Sequence, residues 1–260
     1  MRTLALCFAT LAFCFAASAG EPAGDRLVRI DTRPGVHVAY WFMPRPGAKA
    51  TLLLFPGGEG SIGFHDGAPH SKNFLVRSRD LFAAAGFDVA ILGKPSDHDD
   101  MDLAFRASPE HVTDVTRVVE SLRATGHPVW LVGTSRGTTS VAAAAIALGP
   151  AIAGVVMTSS IANPALPQAV ENLPIARIGV PVLVMSHRLD ACKDTSPEDA
   201  PRILAGLTGT SVKKLLIVSG GGAAYGPVCE PMHWHGFVGM EQEAVDAITA
   251  FIRDPRPAPS

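Results

Sequence analysis

The sequence predicts a single α/β domain, with a mostly parallel central sheet, an antiparallel opening hairpin and helices on both faces. Three observations carry this. Short, almost wholly apolar runs alternate with longer segments of helical spacing, as in a parallel sheet buried on both sides. One such run, Pro128-Val-Trp-Leu-Val132, meets Gly133-Thr134-Ser135-Arg136-Gly137 and then an alanine-rich segment, Val141 to Leu148, so strand, tight turn and helix follow directly. A third segment, Ser108 to Thr125, has a well-punctuated helix: Ser108 as N-cap, Pro109 at the first position, Glu110 in the first turn, Val112, Val115, Val118, Val119 and Leu122 on one face, and Gly126 as the stop.

In chain order, residues 1–19 read as a signal peptide. Arg2 supplies a positive start, Leu4 to Ala16 is an apolar run too short to span a bilayer, and Ala17-Ser18-Ala19 is a small-residue cleavage pattern. The mature chain, residues 20–260, is expected to be exported, either periplasmic or secreted. A lipid anchor at Cys14 is disfavoured because Phe13 puts a bulky ring where a small residue is needed. No later run is long enough for a membrane helix. About 240 residues suffice for one domain with an ample core. The 22 basic and 24 acidic residues nearly balance, with no basic stripe, so nucleic acid is not an expected partner. Cys192 and Cys229 are the thiols left after cleavage, and in an oxidising compartment they most simply pair.

The opening hairpin is read as Leu27 to Asp31 and Val36 to Phe42 around Arg33-Pro34-Gly35, and Ala50 to Phe55 follows as a buried strand ending at Pro56-Gly57-Gly58-Glu59-Gly60. Phe74 to Ala85 has helical spacing, and Phe87 to Leu92 is the next strand. After the Pro128 strand come strands at Ala153 to Met157, Val180 to Met185 and Lys213 to Ser219, with helices from about Pro197 to Leu207 and Met240 to Ile252. The proline-rich tail, Asp254 to Ser260, is expected to fray.

Ser135 sits where a nucleophile would. A G-x-S-x-G at a strand-to-helix turn pushes the hydroxyl out of the sheet, and the helix that follows aims its first N–H groups at the same spot. A serine hydroxyl needs an imidazole to take its proton, and the imidazole needs a carboxylate to fix its tautomer. Two later strands are followed by such groups: Ser186-His187-Arg188-Leu189-Asp190, with Asp194 beyond it, and His233-Trp234-His235-Gly236-Phe237. In a parallel sheet, ligands bind at the carboxyl ends of the strands, where these residues lie. Asp97-His98-Asp99-Asp100 with Asp102 could hold a divalent cation, but reads better as an acidic surface loop. Gly58 to Gly63 spells G-x-G-x-x-G, yet His65, Asp66, Gly67 and Pro69 interrupt the helix a dinucleotide site requires.

With Phe55 to Gly60, the elbow, Asp190 and His235-Gly-Phe237 in this order, the mature chain resembles the α/β-hydrolase superfamily. Lys94-Pro-Ser-Asp97, Phe105-Arg-Ala-Ser-Pro-Glu-His111 and His187-Arg-Leu-Asp-Ala-Cys192 are also similar to a group of exported hydrolases. The resemblance implies a serine hydrolase, foremost a carboxylic-ester hydrolase, with Ser135 as nucleophile, Asp190 rather than Asp194 as the acid and His235 rather than His233 as the base. It implies oxyanion donors from the backbone of Gly58 or Glu59 and of Arg136, and no cofactor or metal. The short stretch between Met157 and Val180 leaves room for a minimal lid only, which suits small or extended ester substrates. Acyltransferase and peptidase activities use the same three residues, and a hydrolase-like binding protein without turnover is the remaining alternative. A Cys192–Cys229 disulfide would tie the acid loop to the histidine loop. Arg136 is expected to meet an anionic substrate group or to pair with a carboxylate such as Asp97. The assembly state is left open.

Overall fold

The computed structural model describes residues 24–256, so the expected signal peptide and residues 257–260 lie outside the described residues. Among the described residues ten strands are formed, eight of them in one sheet. β1 (Arg26–Arg33) turns at Gly35 into β2 (Val36–Met43), with Val28 opposite Tyr40 and Ile30 opposite Val38. β3 (Thr51–Phe55) is the first parallel strand. The two-residue strands β4 (Phe64–His65) and β5 (Ala68–Pro69) form a separate hairpin. Then come α1 (Phe74–Arg77), α2 (Arg79–Ala84), β6 (Asp88–Pro95), α3 (Leu103–Arg106), α4 (Pro109–Arg123), β7 (Val129–Thr134) and α5 (Gly137–Leu148). β8 (Gly154–Thr158), β9 (Val182–His187), α6 (Ala200–Gly206), β10 (Lys213–Val218) and α7 (Glu241–Arg253) complete the chain. The sheet order is β1-β2-β6-β3-β7-β8-β9-β10; β2 is antiparallel to both neighbours, and every pairing from β6 to β10 is parallel.

The continuous apolar strands follow from burial on both faces. Successive side chains of a strand point to opposite sides. Leu53, Phe55, Leu131, Val155 and Val184 pack with Val115, Val118, Val119 and Leu122 of α4 and the alanines of α5. Leu52, Leu54, Val132, Val156 and Leu183 face Phe74, Phe82 and, from α7, Val245, Ile248 and Phe251. Each parallel strand therefore delivers its carboxyl end to one edge of the sheet, and the loops at that edge hold the candidate site.

Several expected boundaries move, each for a local reason. The helix expected over Phe74 to Ala85 breaks at Ser78, which closes α1 through its N–H to Phe74 O (3.0 Å) and precedes α2. α5 begins four residues before the alanine-rich run, because Thr138 N–H bonds back to Ser135 O (2.9 Å). The α6 helix starts only at Ala200 rather than near Pro197. The G-x-G-x-x-G stretch leads into the β4–β5 hairpin, whose turn residues Asp66 and Gly67 both have positive φ.

One core group makes the fold acid-sensitive. His111 of α4 is 1% exposed, and neither ring nitrogen has a hydrogen-bond partner among the described residues. Burial, reinforced by the charges of Arg106, Arg33 and His98, pushes its pKa down from 6.5 to about 3. Between those values the unfolded chain holds a proton that the folded chain does not, so stability is complete above pH 6.5 and is lost as the pH falls below it. The loss is about 2 kcal/mol at pH 5, and His111→Leu should remove it. Urea unfolding of both proteins at pH 7 and pH 5 checks this; an equal pH dependence in the two would refute it.

Candidate active site

Ser135 lies between β7 and α5 with φ +52°, a left-handed conformation that costs a non-glycine residue about 1 kcal/mol or more. The neighbouring backbone holds it there: its N–H donates to Thr158 O (3.0 Å), and its carbonyl accepts from both the N–H and the hydroxyl of Thr138 (2.9 and 2.7 Å). A Cβ on Gly137 would stand 2.1 Å from Phe55 O, so only glycine lets α5 start this close to the end of β3. The serine opens on a pocket of about 560 Å³, shared with Gly58, Glu59, Arg136, Thr195 and His235. Among the described residues the Ser135 hydroxyl makes no hydrogen bond.

His235 belongs to a single 3-10 turn, Trp234–Gly236, that ends where Phe237 takes a left-handed φ of +58° and buries its ring against Phe74 (4.9 Å between centroids). The turn is fixed from two sides. Ser159 Oγ donates to His235 O (2.8 Å), and the Arg77 guanidinium donates to Gly236 O while pairing with Glu241 (2.8 Å). Beyond β9, Asp190 is fully buried at its side chain and takes three donors. These are His235 Nδ1–H (3.0 Å) and the Thr195 hydroxyl (2.9 Å) on Oδ2, and Cys192 N–H (3.0 Å) on Oδ1. Thr195 Oγ1 also lies 3.1 Å from His235 Nδ1, so acid, hydroxyl and imidazole form a closed triangle. A carboxylate that only accepts leaves the Nδ1 proton on the ring and Nε2 free to accept.

Across the pocket, the turn Gly57 to Gly60 is closed by Gly60 N–H donating to Gly57 O (3.1 Å), with Gly58 at φ +58°. The N–H groups of Gly58, Glu59 and Arg136 have no acceptor among the described residues. The Arg136 amide also lies at the N-terminus of α5, where the helix dipole favours negative charge.

Of the rival residues, Asp194 lines the same pocket but is bonded elsewhere. Asp194 accepts from Asn163 Nδ2 (3.0 Å) and its carbonyl takes Ala162 N–H (2.9 Å), without bonding His235. His233 packs edge-on against Trp234 (5.1 Å), its Nδ1 buried without a partner. The expected pairing of Arg136 with Asp97 is corrected: Arg136 stands 3.9 Å from Asp100 on an exposed surface, a contact of little energy. Asp97 instead binds Arg33 (2.9 and 3.0 Å), whose hydrogen bonds hold its pKa down at about 2, and Arg33 also grips Asp114. Asp102 caps α3 through Phe105 N–H (2.8 Å), and among the described residues no group of His, Cys, Asp or Glu is placed to hold a metal ion. Cys192 and Cys229 are joined in a disulfide.

Ser159 and Arg77 escape the sequence reading because each acts through a hydroxyl or guanidinium brought from a distant segment, and Thr195, five residues past Asp190, because no spacing rule says that its hydroxyl meets both the acid and His235. His187 also escapes it: its ring, stacked parallel to Trp234 at 6.1 Å, links Leu189 N–H (3.1 Å) to Gly220 O (3.2 Å), and burial lowers its pKa.

No family model and no curated protein matches the sequence. Solved structures match its fold. Pyrococcus furiosus esterase PF2001 superposes with a TM-score of 0.65 at 13% identity over 89% of this chain and 91% of that one. XC6422 from Xanthomonas campestris, described as an α/β serine hydrolase without lid, gives 0.61 at 17% identity over 92% and 99%. A Bacteroides ovatus protein assigned as a dipeptidyl aminopeptidase IV gives 0.64 at 13% over 89% of this chain, which spans only 36% of that one. With these superpositions, the strand order and the serine on its strained turn at the carboxyl edge of the sheet, the chain has the α/β-hydrolase fold.

Proposed function

We propose that the mature protein is an exported serine hydrolase acting on small or extended carboxylic esters through an acyl-enzyme on Ser135. One observation carries the reading: the buried Asp190–His235 hydrogen bond opens on the same pocket as the strained Ser135. Ser135 Oγ attacks the acyl carbon while His235 Nε2 takes its proton, and Asp190 stabilises the imidazolium. Negative charge on the carbonyl oxygen is met by the Arg136 N–H and by an N–H from the Gly58–Glu59 loop. The proton passes from His235 to the departing alcohol. Water, deprotonated by His235, then attacks the acyl carbon, and the acid leaves as Ser135 Oγ recovers its proton.

Further support is independent of the triad. The disulfide suits an oxidising compartment. Between β8 and β9 the regular structure is limited to the single turns Val170–Asn172 and Ile175–Arg177, which fits an open site. The esterase and serine hydrolase named above share the fold, and their activities are extended here to this chain.

The test is intact mass before and after a fluorophosphonate probe, with Ser135→Ala alongside. One adduct on the wild type, none on the variant and turnover of p-nitrophenyl butyrate are expected. No adduct on folded, disulfide-bonded protein would sink the reading; an adduct with acyl transfer to an added alcohol and no hydrolysis would turn it to an acyltransferase.

A further inference from the structure

A charge lies buried behind the candidate oxyanion loop. Arg106, the last residue of α3, is 1% exposed, and no carboxylate among the described residues lies within ion-pair distance of it. Its guanidinium donates to Met101 O through Nε (2.8 Å), to Ser140 Oγ through Nη1 (3.0 Å), and through Nη2 to both Pro56 O (3.0 Å) and Gly58 O (3.2 Å). Burial, then the charge of Arg136, lowers its pKa. A buried cation matched only by neutral oxygens is costly to keep, and an apolar residue of similar volume would commonly be as stable or more so.

The peptide geometry says what the cation does. The peptide bonds here are all trans, so each C=O points opposite to the N–H of the following residue. Drawing Gly58 O back toward Arg106 therefore turns Glu59 N–H the other way. Glu59 is exposed and lines the pocket with Ser135. Gly57 O is engaged by Gly60 N–H (3.1 Å), and Glu59 O takes Met101 N–H (3.1 Å), so every carbonyl from Pro56 to Glu59 has a donor. Met101 O in turn holds Arg106. Ser140 lies in the first turn of α5, directly beyond the serine elbow. The guanidinium thus braces the loop against the helix that bears Arg136 N–H.

We propose that Arg106 is a positioning residue that aims the Glu59 N–H, rather than that of Gly58, at the substrate oxygen and sets its spacing from the Arg136 N–H. The proposal rests on the hydrolase reading above. Its charge polarises the Gly58–Glu59 peptide in the sense that strengthens the N–H as a donor, and this help grows as the oxyanion forms.

The experiment compares the full mature chain with Arg106→Lys, which keeps the charge but loses the fork, and Ser140→Ala, which removes one of its anchors. Kinetics use p-nitrophenyl butyrate, and phenylboronic acid serves as the tetrahedral adduct former. Arg106→Lys is expected to lose about 10²-fold in kcat and a similar factor in boronate affinity, with KM within about threefold of wild type. Ser140→Ala is expected to lose about fivefold in both. A folded Arg106→Lys with wild-type kcat and boronate affinity, or a change confined to KM, overturns the proposal. Should that variant not fold, Ser140→Ala decides, and unchanged kcat and boronate affinity in it overturn the proposal. A wild type that takes no fluorophosphonate label overturns the hydrolase reading and this one with it; a labelled wild type with unaffected variants overturns this one alone.

Discussion

Replacing Asp190 with asparagine is expected to lower kcat of the proposed reaction by about 10⁴ while the protein stays folded. The two side chains have the same shape, so the loss comes from hydrogen-bond polarity. Asp190 accepts from His235 Nδ1 and Thr195 on one oxygen and from Cys192 N–H on the other. An asparagine amide turned toward His235 donates to Nδ1, which moves the ring proton to Nε2 and leaves no acceptor for the Ser135 hydroxyl. Turned the other way, the amide faces Cys192 N–H, donor against donor, at a side chain fully buried from solvent. The first arrangement is cheaper and inactive. Single-turnover kinetics with p-nitrophenyl butyrate and the rate of fluorophosphonate labelling check this, with circular dichroism as control. A loss under about tenfold would mean that Asp190 does not orient the imidazole.

The parts of this molecule that were legible in the sequence are those written in contiguous residues. The parallel strands were visible because double-sided burial demands unbroken apolar runs such as Leu52 to Phe55, and the elbow because its glycines answer a local steric demand. The α4 cap was legible for the same reason: Ser108 accepts from His111 N–H (3.2 Å) within one turn. The hairpin at Phe64 to Pro69 carried a two-residue Asp66-Gly67 turn signal, but its strands are too short for any alternation to appear. Long-range polar partners were not legible. Asp97 is claimed by Arg33, far away in the chain, because β1 and β6 flank β2 and α4 packs on that edge; no spacing rule encodes this. Arg106 stood in a segment noted for its resemblance to exported hydrolases, yet nothing local says that an arginine there is buried. Its acceptors are carbonyls, which every residue has.

Removing the disulfide with Cys192→Ser and Cys229→Ser is expected to destabilise the fold far more than it slows the reaction. The bridge closes a separation of 37 residues, for which the chain-entropy estimate is about 4 kcal/mol, or a fall of roughly 10 °C in Tm for a domain of this size. It joins the loop of Asp190 to the loop of His235, so it could equally be the element that sets their registry. The hydrogen bonds argue otherwise. The backbone at His235 is already held by Ser159 Oγ and, one residue on, by Arg77, while Phe237 is anchored against Phe74. Asp190 is fixed by Cys192 N–H and Thr195, neither of which needs the sulfur. Once folded, the double variant should therefore keep kcat within about threefold of wild type. Thermal unfolding and kcat, measured below the transition of the variant, separate the two roles. A small change in Tm with a large loss of kcat would show that the covalent link aligns acid and base, and that the contacts around His235 cannot hold the alignment without it.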